Sequence, residues 1–133
     1  MREIKFRLRD HNEIVGYEKW YSGSWSPEGY WIARPCWLYS KDGESWNPTP
    51  ISYTDKDQFT DLKDYKQKEI YEGDIVDCDA FTDVVIFKLG IFTTERSGHS
   101  DNTPQGLWEH GRLNLEVIGN IYDNPELLGE RRR

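Results

Sequence analysis

Three histidines and two cysteines are the residues best suited to metal or nucleophilic chemistry, yet their spacing matches no familiar site. A zinc site takes its Cys or His ligands in close pairs, whereas His99 and His110 are eleven residues apart and His11 is distant from both. Cys36 and Cys78 are isolated from each other. The nucleophile elbow, the phosphate-binding glycine loop and the zincin motif do not occur in the sequence. We therefore expect no metal, no cofactor and no enzymatic activity, with a hydrolase of unrecognised site as an alternative.

Carboxylates are concentrated between residues 55 and 83, where ten acidic residues accompany four lysines. Such oxygens can bind a hard cation, but the stretch lacks the regular Asp-x-Asp-x-Asp-Gly loop, and a solvated face explains it better. Glu72 and Asp74 could form an acid–base pair, although their position around a glycine is more typical of a turn. A further alternative is an acidic inhibitor, in which Asp74, Asp77 and Asp79 imitate nucleic acid and block a host nucleic-acid enzyme.

Aromatic residues are concentrated near the start of the chain, with nine of them in residues 17–46. Three interpretations stay open: the core of a small sheet, the centre of a protein interface, and a stacking platform for bases or sugars. Trp20 and Trp25 are flanked by small polar residues, so we expect them to be the most exposed. The predicted partner-binding residues are Trp20, Trp25, Trp31 and Trp37.

The composition is that of a soluble globular protein. The chain has 133 residues, a net charge of −7 and 14% aromatic residues, which is enough to form a core without disulfides or metal. Two cysteines are too few for a disulfide scaffold, and the sequence has neither an apolar run of membrane length nor a secretory signal pattern. We expect a cytoplasmic protein. The acidic charge disfavours nucleic acid as a partner, and the three arginines at 131–133 are too few to bind it.

Periodic apolar segments predict a mainly β fold with short antiparallel strands. Ile4, Phe6 and Leu8 alternate with basic residues, which is the pattern of a half-buried strand. An Asp-Gly pair at Asp42 and Gly43 indicates a hairpin. Further strands are predicted at residues 14–21, 30–39, 51–53, 74–78, 84–87, 91–94 and 113–117, and a mobile loop is predicted at 97–106.

The polar segment 54–69 has only Phe59, Leu62 and Tyr65 as apolar anchors. Their spacing of three predicts one or two helical turns, with a loop held by the same side chains as the alternative.

A boundary at residue 58 separates the two predicted domains. Residues 1–58 form an aromatic-rich β region with nine acidic and eight basic residues, whereas residues 59–133 contain fifteen acidic and nine basic residues. The negative charge is thus concentrated in the second domain. Five short strands within 70–122 would suffice for an SH3-like small barrel.

Three groups of residues resemble the YopX family, whose members are small proteins encoded by bacteriophages and prophages. The similar segments are MREIKFR at residues 1–7, QFTDLKD at 58–64 with KEIYEGDIV at 68–76, and VIGNIYDNPELL at 117–128. Two positions depart from the family pattern. Asp61 stands where the family usually has Gly, and residues 65–67 replace a stretch that commonly ends in Asn-Gly. A glycine at such a position would suit a turn with positive φ.

The resemblance implies a C-terminal SH3-like barrel, a phage or prophage origin and a bacterial cytoplasm. It implies no activity and no catalytic residues. We expect its signature residues to be structural: Gly73 permits a tight turn, Asp74 caps backbone amides there, and the closing turn depends on Gly119, Asn120, Asn124 and Pro125.

From the residues and the resemblance together, we predict a non-enzymatic module that binds a host or phage protein, or a second copy of itself.

Overall fold

The computed structural model of the chain describes residues 3–78, 81–88, 90–96 and 115–130. The chain divides into two compact units, Met1–Asp57 and Gln58–Arg133. Antiparallel strands make up most of the described residues in both units, so the prediction of a mainly antiparallel β protein is confirmed. The part of the chain that the structure describes holds no helix long and apolar enough to cross a membrane.

The first unit is built on long paired strands. In chain order they are β1 (Lys5–Asp10), β2 (Glu13–Tyr21), β3 (Ser24–Trp25), β4 (Trp31–Ala33) and β5 (Cys36–Ser40), followed by β6 (Asp55–Lys63), whose first residues belong to this unit. Their order is β5-β2-β1-β6, while β3 and β4 form a separate pair. His11 and Asn12 form the turn between β1 and β2 with φ of 50° and 72°, because the twist of a hairpin favours positive φ at both positions.

Strand β1 is buried on both faces, which corrects the half-buried strand that the sequence predicts. Leu8 is fully buried, but Arg7 and Arg9 on the opposite face are buried as well. Arg7 Nη2 lies 3.0 Å and Arg9 Nη2 lies 2.9 Å from the oxygens of the buried Asp57 carboxylate. Paired charges can leave water where a lone charge could not. Along β1, apolar side chains that pack in a core therefore alternate with basic side chains that form buried ion pairs.

The second unit contains a four-stranded antiparallel sheet and a hairpin. Its elements are the rest of β6, then β7 (Glu69–Tyr71), β8 (Asp74–Cys78), β9 (Phe81–Lys88), β10 (Ile91–Arg96), β11 (Leu115–Asn120) and the short helix α1 (Glu126–Glu130). The sheet order is β10-β9-β8-β11, and β6 pairs with β7. The core of this unit consists of Ile70, Val76, Val85, Leu115 and Val117, with Leu62 and Phe92 packed against it.

The prediction of a helix or a loop at 54–69 is wrong, because most of this segment is strand β6. The pairing of β6 with β7 shifts register between Phe59 and Lys63, and Asp61, between them, has a φ of 70°. A bulge of this kind adds a residue to the two-residue period of a strand. Phe59 and Leu62 therefore both pack inward at a spacing of three, which imitates a helical pattern, while Tyr65 is exposed.

Other predictions are corrected or lie outside the described residues. Residues 51–53 are not a strand but run without ladder pairing after two prolines that cannot donate to a ladder. Cys36 is a free, half-buried thiol. The predicted loop at 97–106, His99, His110, Asp79 and the arginines at 131–133 lie outside the described residues. The described strands of the second unit do not include a closed barrel.

Candidate protein-interaction surface

The four predicted partner-binding tryptophans lie in two separate clusters of the first unit. Trp20 and Trp37 belong to the sheet cluster, which we define as Phe6, Trp20, Trp37 and Tyr53. Trp25 and Trp31 belong to the hairpin cluster, which we define as Trp25, Tyr30, Trp31 and Ile32. Both clusters expose large apolar side chains to solvent, including Trp20 and Trp25. The sequence predicts these two to be the most exposed aromatic residues, but Tyr30 is more exposed than either.

The hairpin cluster is exposed because its two short strands have little to pack against. Trp25 and Trp31 are paired across β3 and β4, with ring centroids 3.7 Å apart and planes tilted by 33°. Gly29, at φ 93°, lies in the connecting turn, where its amide donates to the Ser26 carbonyl at 3.1 Å. Trp25, Tyr30 and Ile32 are 57%, 62% and 67% exposed. A two-stranded hairpin buries little apolar area by itself, so this cluster remains available for contact.

The sheet cluster forms one face where β2 and β5 pair. Trp20 and Trp37 are directly opposite each other, with ring centroids 5.3 Å apart at an edge-to-face angle of 67°. The Phe6 ring lies 6.4 Å from that of Trp37. Edge-to-face geometry aligns the positive edge of one ring with the negative face of the other. The cluster is thus a preformed aromatic surface, with both tryptophans more than one-third exposed.

An ion pair between the buried Glu18 carboxylate and the partly exposed Lys56 lies within the sheet cluster. Lys56 Nζ is 2.8 Å from Glu18 Oε1, and it also lies 4.2 Å from the ring centroid of Phe6, 5.8 Å from that of Trp37 and 5.7 Å from that of Tyr53. We call Glu18 together with the rings of Phe6, Trp37 and Tyr53 the ammonium cage. The sequence does not reveal this cage, since Glu18 is 38 positions from Lys56 and only the sheet brings them together.

Two pKa values respond to this arrangement. Burial lowers the pKa of Lys56, but the hydrogen bond to Glu18 and its negative charge outweigh burial, so the pKa rises above its ordinary value. Burial raises the pKa of Tyr39, and the neighbouring charge of Glu18 raises it further. Both shifts keep the two groups in the protonated forms that stabilise the Glu18 carboxylate.

The loop after β5 borders an open pocket of about 650 Å³, lined in part by Tyr39, Asp42, Pro50 and Ile51. Asp42 organises its rim: Oδ1 accepts the Glu44 amide at 2.8 Å and the Ser45 amide at 3.0 Å. These amide bonds lower the pKa of Asp42 to about 2. The described residues contain no cluster of three or more His, Cys, Asp or Glu side chains that could hold a metal ion.

The signature residues of the second unit hold its turns. Gly73 has a φ of 90°, its amide donates to the Val85 carbonyl at 2.8 Å, and Asp74 Oδ2 accepts the Tyr71 amide at 2.8 Å. Asp74 is buried, and its side chain caps this turn as the sequence analysis expects. Asp77 is half-buried.

The closing turn depends on close contact between the backbone and two asparagines. Asn120 Oδ1 accepts the Tyr122 amide at 3.0 Å and the Asp123 amide at 2.9 Å. A Cβ at Gly119 would lie within 2.8 Å of Asn124 Cγ, which explains why a residue without a side chain occupies this position. Pro125 is exposed and directly precedes α1.

The fold and the exposed clusters define a class of protein: a small antiparallel β protein with aromatic surface on its first unit. The family model described as "YopX protein" matches residues 10–129 of the chain. Because this match covers most of the chain, the protein belongs to the YopX family. A comparison with curated proteins gave no match.

Proposed function

We propose that the protein is a non-enzymatic binding module, acting during phage growth in the bacterial cytoplasm, that holds a host or phage protein or a second copy of itself. The proposal rests above all on the hairpin cluster, in which Trp25, Tyr30 and Ile32 are all more than half exposed. Protein interfaces concentrate their binding free energy in aromatic anchors of this kind, and the concentration of exposed apolar side chains in one short hairpin favours a contact role.

The distribution of charged residues also favours the hairpin cluster as the contact surface. The first half of the chain is nearly neutral, whereas the second half carries most of the net charge of −7. The segment from residue 23 to residue 35 contains one acidic and one basic residue, Glu28 and Arg34. Interface centres are depleted in charged residues, so the hairpin cluster has the composition of a contact surface. The acidic-inhibitor alternative receives less support because Asp74 is buried and bonded within its own turn.

We also propose that residues 59–133 form an SH3-like small barrel. The hairpin of β6 and β7 bonds to the sheet through the Tyr65 amide, which donates to the Leu115 carbonyl at 3.3 Å, and through the Val117 amide, which donates to Asp64 Oδ2 at 2.9 Å. These bonds fold the hairpin towards β11, which is the first step in closing a sheet on itself.

The test is a tagged capture from nuclease-treated bacterial lysate, before and after phage induction, combined with light scattering on the purified protein. The double variant Trp25→Ser/Ile32→Ser is expected to bind its partner about 30-fold or more weakly, because loss of hot-spot anchors costs roughly 2 kcal/mol or more of binding free energy. Tyr65→Ser is the matched control, since Tyr65 is an exposed aromatic residue of the second unit. Unchanged capture and unchanged self-association in a folded double variant would contradict the proposal.

A further inference from the structure

We propose that the ammonium cage is a binding site for the lysine ε-ammonium group of a partner protein, and that Lys56 occupies this site in the free chain. The inference deepens the proposed function, because it names the chemistry that a partner must present to the sheet cluster. It concerns a different cluster from the hairpin residues tested above.

The cage has the components of an ammonium receptor. A buried carboxylate, Glu18, forms its floor, and the rings of Phe6, Trp37 and Tyr53 surround the nitrogen at centroid distances between 4.2 and 5.8 Å. Aromatic faces attract cations through their quadrupoles, and a carboxylate supplies the charge-assisted hydrogen bond. This combination selects a cation with N–H donors over a neutral or anionic group.

The burial of the Glu18 carboxylate favours a bound cation. Its side chain is only 3% exposed, while that of Lys56 is 36% exposed. Removing the cation would leave a buried negative charge that keeps its hydrogen bond with Tyr39 but loses its ion pair, which is unfavourable. A group that displaces Lys56 is therefore favoured when it brings its own positive charge. Trp37 and Tyr53 are each more than one-third exposed, so a partner side chain can approach the cage from solvent.

A second lysine of the chain provides an internal control. Lys66 Nζ lies 2.8 Å from Glu116 Oε2 and 5.6 Å from the ring centroid of Tyr65. These distances are similar to those around Lys56. The Glu116 side chain, however, is 31% exposed, and one ring, that of Tyr65, lies beside Lys66 where three lie beside Lys56. Water can solvate Glu116 when Lys66 leaves, so no cation is required there.

The experiment measures n-butylammonium binding to the whole chain by thermal-shift and by NMR of the tryptophan indole N–H groups, at constant ionic strength. Lys56→Ala is expected to bind n-butylammonium about tenfold or more tightly than the wild type, because the tethered Lys56 competes at a high effective concentration. Lys66→Ala is expected to behave as the wild type, and n-butanol is expected to bind to neither variant. Equal n-butylammonium affinity in Lys56→Ala and Lys66→Ala overturns the inference.

Whether the Lys56→Ala variant folds is a second test of the inference. A Lys56→Ala protein that is unfolded in sodium buffer but folds in n-butylammonium supports the inference, and one that stays unfolded in both overturns it. Glu18→Gln with Lys56→Ala removes both charges and is expected to lose the binding; retained binding overturns the role of Glu18. If the hairpin variants lose capture while the cage binds no ammonium, the proposed function stands and this inference fails.

Discussion

At the scale of single residues, Asp64 illustrates how one buried carboxylate can organise a turn. Its Oδ1 accepts the Lys66 and Lys68 amides at 2.9 Å each, and its Oδ2 accepts the Val117 amide at 2.9 Å. We expect Asp64→Ala to lower the free energy of unfolding by about 2–4 kcal/mol, since buried amides lose charge-assisted hydrogen bonds. Urea denaturation measures the change.

The matched control is Lys68→Ala, which truncates an exposed side chain of the same turn and keeps its backbone bonds. We expect this variant to change the free energy of unfolding by no more than about 0.5 kcal/mol. If Asp64→Ala lowers the free energy of unfolding by no more than Lys68→Ala does, the hydrogen bonds of the Asp64 carboxylate do not stabilise the turn.

Asp42 makes stability depend on pH in the acid range. Amide bonds from Ser45 and Glu44 lower its pKa from 3.8 to about 2 in the folded chain. A depressed folded pKa stabilises the ionised native state, so this contribution is complete above the unfolded pKa and is lost as pH falls through the folded one. We expect Asp42→Asn to reduce the loss of stability between about pH 4 and pH 2, as followed by thermal unfolding at each pH.

Glu44→Gln is the control for Asp42, because Glu44 is an exposed acidic residue of the same loop. Its acid profile should match that of the wild type. If Asp42→Asn also retains the full wild-type profile, the carboxylate does not contribute to acid stability.

At the scale of elements, the hairpin of β6 and β7 carries unusual backbone geometry on ordinary residues. Gln67 has a φ of 69° and Asp61 has a φ of 70°, a region that costs a residue with a Cβ about 1–2 kcal/mol. These are the two places where the sequence departs from the glycines typical of the family. We expect Gln67→Gly to raise the free energy of unfolding by about 0.5–1 kcal/mol, since the relieved strain exceeds the added entropy of the unfolded chain.

Lys68→Gly serves as the comparison for Gln67→Gly, because Lys68 is exposed in the same turn and does not have positive φ. We expect it to destabilise the protein by about 0.5–1 kcal/mol. A loss of stability in Gln67→Gly, measured by the same urea titration, would refute the argument from strain.

The elements also show why some predictions from sequence succeed. Strands β2, β9 and β10 lie where apolar and aromatic runs predict them, because local periodicity reports which side chains face a core. Strand β6 was missed because the bulge at Asp61 changes its period. The burial of Arg7 was missed because its partner, Asp57, is 50 positions away.

At the scale of the whole molecule, charge and aromatic area are unevenly distributed along the chain. The first half is nearly neutral and holds both aromatic clusters, whereas the second half carries most of the negative charge. Repulsion from a net charge of −7 disfavours association through the acidic half. The division into functional domains at residue 58 stays a prediction, as do the phage origin and the cytoplasmic location.

The sequence by itself determined the β class and the family, because these depend on local periodicity and motifs. It predicted exposed side chains at Trp20 and Trp25, but the ranking of exposure is different, since Tyr30 is more exposed than either. Only the tertiary structure decided that Trp20 pairs with Trp37, and that Lys56 reaches Glu18 among three aromatic rings. Strand register brings together residues that are distant in the chain, and register depends on the pairing of whole strands. A binding site assembled across strands is therefore invisible until the sheet is formed.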